Sequence, residues 1–149
     1  MKIEKFEDIK AWQEARVLTT MIYAAVGSDR HFASDHGLRE QIRRAAVSVM
    51  SNIAEGFSRR STKEFVQFLF IAKGSAAEVQ SQLYVALDQG YINEEKFNEL
   101  YTKSDEVARL ISGFIRYLLN KDKPQALKQP NKLSEHEELN KPKRLKEPK

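Results

Sequence analysis

Cysteine is absent from all 149 residues, which removes disulfides, thiolate-held zinc, iron–sulfur clusters and thiol nucleophiles and is compatible with a reducing compartment. Proline is absent from residues 7–119, and all four prolines (Pro124, Pro130, Pro142 and Pro148) lie beyond it. Nothing in that long stretch therefore forces a helix to break. The six glycines are scattered singly, so no glycine-rich loop exists to cradle a phosphate, and no G-x-S-x-G elbow presents a serine nucleophile. No apolar run reaches the 18 or so residues of a membrane span, and the start of the chain has no apolar segment resembling a signal peptide. The expectation is a cytoplasmic protein without membrane contact.

What charge there is divides unevenly. The whole chain carries 25 Lys+Arg and 21 Asp+Glu for a formal charge of +4. Residues 1–120 hold 16 cations and 16 anions, whereas 121–149 hold 9 and 5, so the whole excess belongs to the end of the chain. All Phe, Tyr and Trp residues also precede position 120. The chain reads as a foldable body, 1–120, followed by a flexible Lys/Pro-containing tail, 121–149, which lacks the apolar content for a core.

Within the body the apolar spacing is helical throughout. A first helix over about 7–26 places Trp12, Ala15, Thr19, Ile22 and Val26 on one stripe, and a polar loop follows through Ser34 and Asp35. A second, about 36–59, carries Leu38, Ile42, Ala45, Val49 and Ile53. Ser61-Thr62-Lys63-Glu64 fits a capping box that starts a third helix, with Phe65, Phe68, Leu69, Ala72, Ala76, Val79, Leu83 and Leu87 inward, and Gly90 suits its C-terminal cap. Asn93 is placed as the N-cap of a fourth helix, which turns Phe97, Leu100, Val107, Ile111, Phe114 and Leu118 inward. Four helices of about 20–28 residues, each roughly 30–42 Å long, with short connections, predict an all-α, up-down-up-down four-helix bundle.

Two of these helices carry more apolar surface than one core needs. Residues 45–54 contain no charge, so Val47 and Met50 add to the core stripe, and the third helix adds Val66, Phe70, Ala77 and Tyr84 away from its own. Helices of this kind are usually buried on two sides, which points to homo-oligomerisation through these six residues, with Gly74 to Ala77 allowing close approach. The alternative is a lopsided monomer with scattered exposed apolar groups.

Chemistry-bearing constellations are few. None of His31, His36 or His136 has the Glu-x-x-His spacing of a bundle metal site, so no metal, cofactor or catalytic residue is expected. Basic residues cluster twice, at Arg39, Arg43 and Arg44 and at Arg59, Arg60 and Lys63. They suit phosphates of a nucleic acid, but Glu40 lies four before Arg44 and Glu55 four before Arg59, so ion pairing along the helix is an equal alternative. Asn52, Glu55 and Gly56 form an unusual group: a glycine inside a helix costs about 1 kcal/mol relative to alanine, which implies close approach by a neighbour. Helix packing with a hydrogen-bonded polar pair explains it better than a reaction centre, because no companion acid or nucleophile accompanies it.

The run Leu38 to Phe57, with Arg43-Arg44-Ala45-Ala46 and Asn52-Ile53-Ala54-Glu55-Gly56-Phe57 at its heart, resembles the signature of four-helix-bundle proteins encoded in intervening sequences of bacterial 23S rRNA genes. Phe6, Ala11-Trp12-Gln13 and Ala15 resemble that family's opening helix, and Phe65, Phe68-Leu69, Ile71-Ala72, Gly74-Ser75 and Glu78 its third, so the likeness covers about residues 5–119. The resemblance implies a four-helix bundle and a ring-like homopentamer. It also brings in the related accessory variability proteins of diversity-generating retroelements, basic pentameric barrels that bind nucleic acid and a reverse transcriptase. The expected partners are thus a second copy of the chain and rRNA or another nucleic acid, with a protein partner such as a polymerase as the alternative.

Overall fold

A computed structural model describes residues 2–122; of the tail read in 121–149, Lys121 ends the last helix and Asp122 caps it, and the remainder, with His136 and the four prolines, lies outside the described residues. A 3-10 turn at Phe6–Asp8 leads into α1 (Lys10–Ser28), followed by α2 (Arg30–Ser34), α3 (His36–Phe57), α4 (Thr62–Asp88) and α5 (Glu94–Lys121). The four long helices close a ring in which α1 packs on α3 and α5, and α4 packs on α3 and α5. Contacts running in opposite order along each neighbouring pair make them antiparallel. Gly56 meets Phe65 and Phe68 while Ser48 meets Ser75 across α3 and α4, and Tyr84 meets Phe97 and Tyr101 while Ala76 meets Ser104 across α4 and α5.

The core follows the apolar spacing. Leu38, Ile42, Ala45, Val49 and Ile53 are all buried along α3, and Leu69, Ala72, Ala76, Val79 and Leu83 along α4. Trp12, Thr19, Phe65, Phe68 and Phe114 are half-buried at its margins. Local signals hold at the helix ends. Asn93 accepts the Lys96 N–H at 2.8 Å. Gly90, at φ 73°, lets its own N–H reach Leu87 O and that of Tyr91 reach Ala86 O, closing α4 in a Schellman motif. Only half of the capping box at Ser61 forms: the Ser61 hydroxyl accepts the Glu64 N–H at 3.2 Å, but the Glu64 carboxylate takes the Ser61 hydroxyl, at 3.1 Å, and not its backbone N–H.

Two expectations need correction. The first helix starts at Lys10, because Asp8 turns back to accept the N–H groups of Glu4 and Lys5 and holds the preceding residues in the 3-10 turn. The stretch read as a polar loop through Ser34 and Asp35 contains α2, which is capped by Asp29 Oδ1 accepting His31 N–H at 2.9 Å and Phe32 N–H at 2.8 Å. This short helix drops Phe32 into the core and stacks it on Tyr91 at 5.3 Å.

Asp35 joins the same end of the bundle to the start of α3, taking the Leu38 N–H at 3.1 Å and the Tyr91 hydroxyl at 2.9 Å. These two donors hold the Asp35 carboxyl below its ordinary value, and the carboxylate pushes the Tyr91 hydroxyl up.

Candidate nucleic-acid interface

The six cations singled out by spacing do not converge. Arg44 and Phe57, the last residue of α3, are about 20 Å apart along the axis at 1.5 Å per residue, and Arg59 lies just beyond it, which leaves two separate clusters. Their engagements also differ. Arg39 is half-buried and donates from Nη1 to Ala33 O at 2.8 Å, tying α3 to the short α2. Arg43 lies over the Tyr23 ring of α1 at 4.8 Å. Arg59 pairs with Glu55 at 2.7 Å, as its i, i+4 spacing suggests, and covers the Phe68 ring at 4.8 Å. The companion pair from Glu40 to Arg44 does not close. Among the described residues Arg44, Arg60 and Lys63 are exposed and have no carboxylate within 4.0 Å.

The Asn52, Glu55 and Gly56 group separates into three unrelated functions. Asn52 Nδ2 donates back to Ser48 O at 2.8 Å and lies 2.9 Å from Ser48 Oγ, whose hydroxyl meets that of Ser75 on α4 at 2.9 Å. Glu55 is exposed and serves Arg59. Gly56 is the close approach: a Cβ there would stand 2.7 Å from Phe65 Cδ2 and 2.8 Å from Phe68 Cβ, both below any ordinary contact. Ser48 and Ser75 fall within the sequence patterns above without a role of their own, Ser75 only in the stretch Gly74 to Ala77 expected to approach another copy, and Ser104 is not marked at all. Ser48, Ser75 and Ser104, the last donating to Ala76 O at 3.0 Å, sit where neighbouring helices touch, and small hydroxyls paired with each other or with a backbone carbonyl do not hold the helices apart.

The apolar residues assigned to assembly also divide. Val66 is 8% exposed and belongs to the chain's own core, and Met50 is half-buried with its sulfur 3.3 Å from the Thr19 hydroxyl. Val47 faces outward on α3. Phe70, at 55% exposure, Ala77 and Tyr84, at 51%, recur every seven residues on the outside of α4, and the Tyr84 ring leans on Phe97 at 4.8 Å and Tyr101 at 6.0 Å of α5. Gly74 has open space around its Cα.

Some of the remaining surface charges pair along and between helices. Across α1 and α5, Glu14 binds Lys103 and, at 3.0 Å, Lys10, while Lys103 reaches Glu106 at 3.2 Å and Asp105 meets Arg109 at 2.9 Å. Lys103 first and then Lys10 hold the Glu14 carboxyl below its ordinary value, and Glu14 raises the Lys103 ammonium. A depressed carboxylate stabilises the fold above its unfolded-state pKa and loses that contribution as pH falls through the folded value; a raised ammonium loses its own as pH climbs through its folded value. The pair therefore works across the neutral range and fails at both extremes. Urea midpoints measured from pH 7 down through the carboxylate range should fall less steeply for Glu14→Gln than for the native chain; identical slopes would show that the pair adds nothing. Beside this network a groove of about 700 Å³ between α1 and α5 is lined by Ala11, Leu110, Phe114 and Tyr117 with Lys10, Glu106 and Arg109 at its rim.

Among the described residues no helix is long and apolar enough to cross a membrane, and no three His, Asp or Glu side chains gather as metal ligands. No functionally curated protein matches the chain. Among solved structures, a protein of unknown function from the S23 ribosomal protein family of Bacteroides thetaiotaomicron, determined at 1.70 Å, has a TM-score of 0.64 and 22% identity, covering 71% of this chain and 98% of its own. At that identity the likeness concerns the helical fold. Residues 7–113 match the family described as 23S rRNA-intervening sequence protein, a span that runs from the 3-10 turn into the second half of α5. The chain thus belongs to the 23S rRNA-intervening sequence protein family.

Proposed function

We propose that this chain is a cytoplasmic, non-catalytic homo-oligomer, assembled as a ring of five, that binds RNA or ribonucleoprotein through phosphates. Three exposed cations without ion pairs, Arg44, Arg60 and Lys63, carry the RNA reading, because a cation already satisfied by a carboxylate gains little from a phosphate. The heptad-spaced Phe70, Ala77 and Tyr84 support assembly, since a monomer leaves this stripe against water. Assembly also multiplies three cations per chain into a polyvalent surface, and several weak phosphate contacts then act together.

A fragment of structured 23S rRNA, titrated by gel shift, tests the first part. With six to ten phosphates engaged, affinity should fall by about 10³–10⁵ between about 50 and 200 mM salt. Failure to shift at low salt removes the RNA reading. Light scattering tests the second: a monomer at micromolar concentration contradicts assembly. The groove beside Leu110, Phe114 and Tyr117 favours one alternative, a scaffold for a polymerase, and that reading gains if a captured polymerase stays bound after nuclease treatment.

A further inference from the structure

The face shared by α1 and α3 differs in charge from the rest of the bundle. Along α1, Trp12, Arg16 and Tyr23 recur at steps of four and seven, so they fall on one stripe about 16 Å long. Arg16 places its guanidinium 5.9 Å from the Trp12 ring, and Arg43, from α3, lies over Tyr23 at 4.8 Å. Each is a cation above an aromatic face. Tyr23 is 46% exposed, Arg16 is exposed and Trp12 is half-buried on Phe6, at 5.1 Å. A shallow concavity of about 370 Å³ opens beside Trp12 and Arg16, floored by Val17 and Met21.

The arginines of this face are not paired with carboxylates. From Ala15 to Ser28 α1 contains none, and neither Arg16, Arg39 nor Arg43 has an acidic group within 4.0 Å among the described residues. The Nε atoms of Arg39 and Arg43 are moreover buried without a hydrogen-bond partner. An arginine row without ion-pair partners, interleaved with stackable rings, complements a chain of phosphates whose bases are free to stack.

We infer that the α1–α3 face binds single-stranded RNA, with Trp12 and Tyr23 as stacking platforms and Arg16 and Arg43 on the phosphates. The inference rests on the RNA-binding reading above and moves the contact with unpaired bases away from Arg60 and Lys63. Base stacking on an aromatic ring tolerates any base, so little sequence preference is expected.

Trp12 is the chain's one tryptophan and reports on the site directly. Titrating the full chain with a 12-nucleotide oligouridylate at low salt should quench its emission saturably. Tyr23→Ala and Arg43→Ala should each raise Kd by about 5- to 100-fold, with Tyr23→Phe close to native. Arg43→Ala should also flatten the log–log salt dependence by about 0.7 for each phosphate that is no longer neutralised. Circular dichroism should match the native spectrum for Tyr23→Ala, whose side chain is exposed; Arg43 is half-buried, so if Arg43→Ala loses helix signal the Tyr23→Ala affinity decides. RNA that shifts the protein while Trp12 stays silent and the variants bind normally overturns this face and leaves the RNA reading standing. Equal affinity for a duplex of the same charge overturns the stacking. No binding of any RNA overturns both, and emission that changes on dilution of the protein and not on adding RNA assigns the face to a second copy.

Discussion

Phe32→Ala is expected to lower the unfolding free energy by about 3–5 kcal/mol, the range for truncating a fully buried aromatic side chain. Phe32 is 1% exposed and is the one buried residue of the five-residue α2, which Arg39 also ties to α3 through Ala33 O. It stacks on Tyr91, whose hydroxyl binds Asp35, the N-cap of α3. Removing the ring leaves a cavity and loosens Tyr91 with it, so the α1–α3 connection and the α4–α5 connection lose their joint. Thermal melts should drop on the order of 10 °C or more. Tyr91→Phe, which keeps the stack and deletes only a solvent-accessible hydroxyl, should cost much less. A Phe32→Ala loss within about 0.5 kcal/mol, as at an ordinary surface position, would show that α2 is not docked.

Gly56→Ala and Gly74→Ala should move stability in opposite directions although both replace a glycine inside a long helix. At Gly74 a methyl group enters open space, and the substitution gains about 0.5–1 kcal/mol from the smaller entropy of the unfolded chain. At Gly56 the same gain is available, but the methyl group would press on Phe65 Cδ2, Phe68 Cβ and, at 3.2 Å, Phe65 O. Rings at the α3–α4 crossing cannot all yield, because Phe65 also packs edge-on against Phe57 and Phe114 and Arg59 covers Phe68. Overpacking of this kind costs about 1–3 kcal/mol, which outweighs the propensity gain. Paired urea curves decide it: equal shifts for the two variants would mean that the helices separate easily at Gly56. If Gly74 also touches a second copy, its alanine variant should be more stable as a chain yet assemble less well in light scattering.

Much of the bundle was legible because its determinants are local. Leu38, Ile42, Ala45, Val49 and Ile53 reveal α3 by spacing alone, and Asn93 and Gly90 act on backbone groups within three or four residues of themselves. The short α2 was not legible, since periodicity needs a window of about 11 residues and this helix has five; the signal that could have found it is Asp29 before Arg30, a cap with a large apolar side chain soon after. The site was less legible than the fold. Spacing placed Glu40 and Glu55 equally well to neutralise an arginine, yet only Glu55 does so, because an exposed pair at i, i+4 is worth a few tenths of a kcal/mol and a competing environment decides it.

The sequence by itself determined the helical class, the long helices' inward stripes, most of their caps and the family. Each depends on residues within a turn or two of one another, or on a pattern read along the chain. Only the tertiary structure decided that Val66 is core while Phe70 and Tyr84 are surface, that Arg39 holds α2, and that Arg16 and Arg43 meet rings and no carboxylate. Those outcomes depend on how far each helix is rotated against its neighbours. Rotation is set by the joint packing of four helices, with Gly56 against Phe65 and the serines at the crossings, and no single stretch of chain contains it.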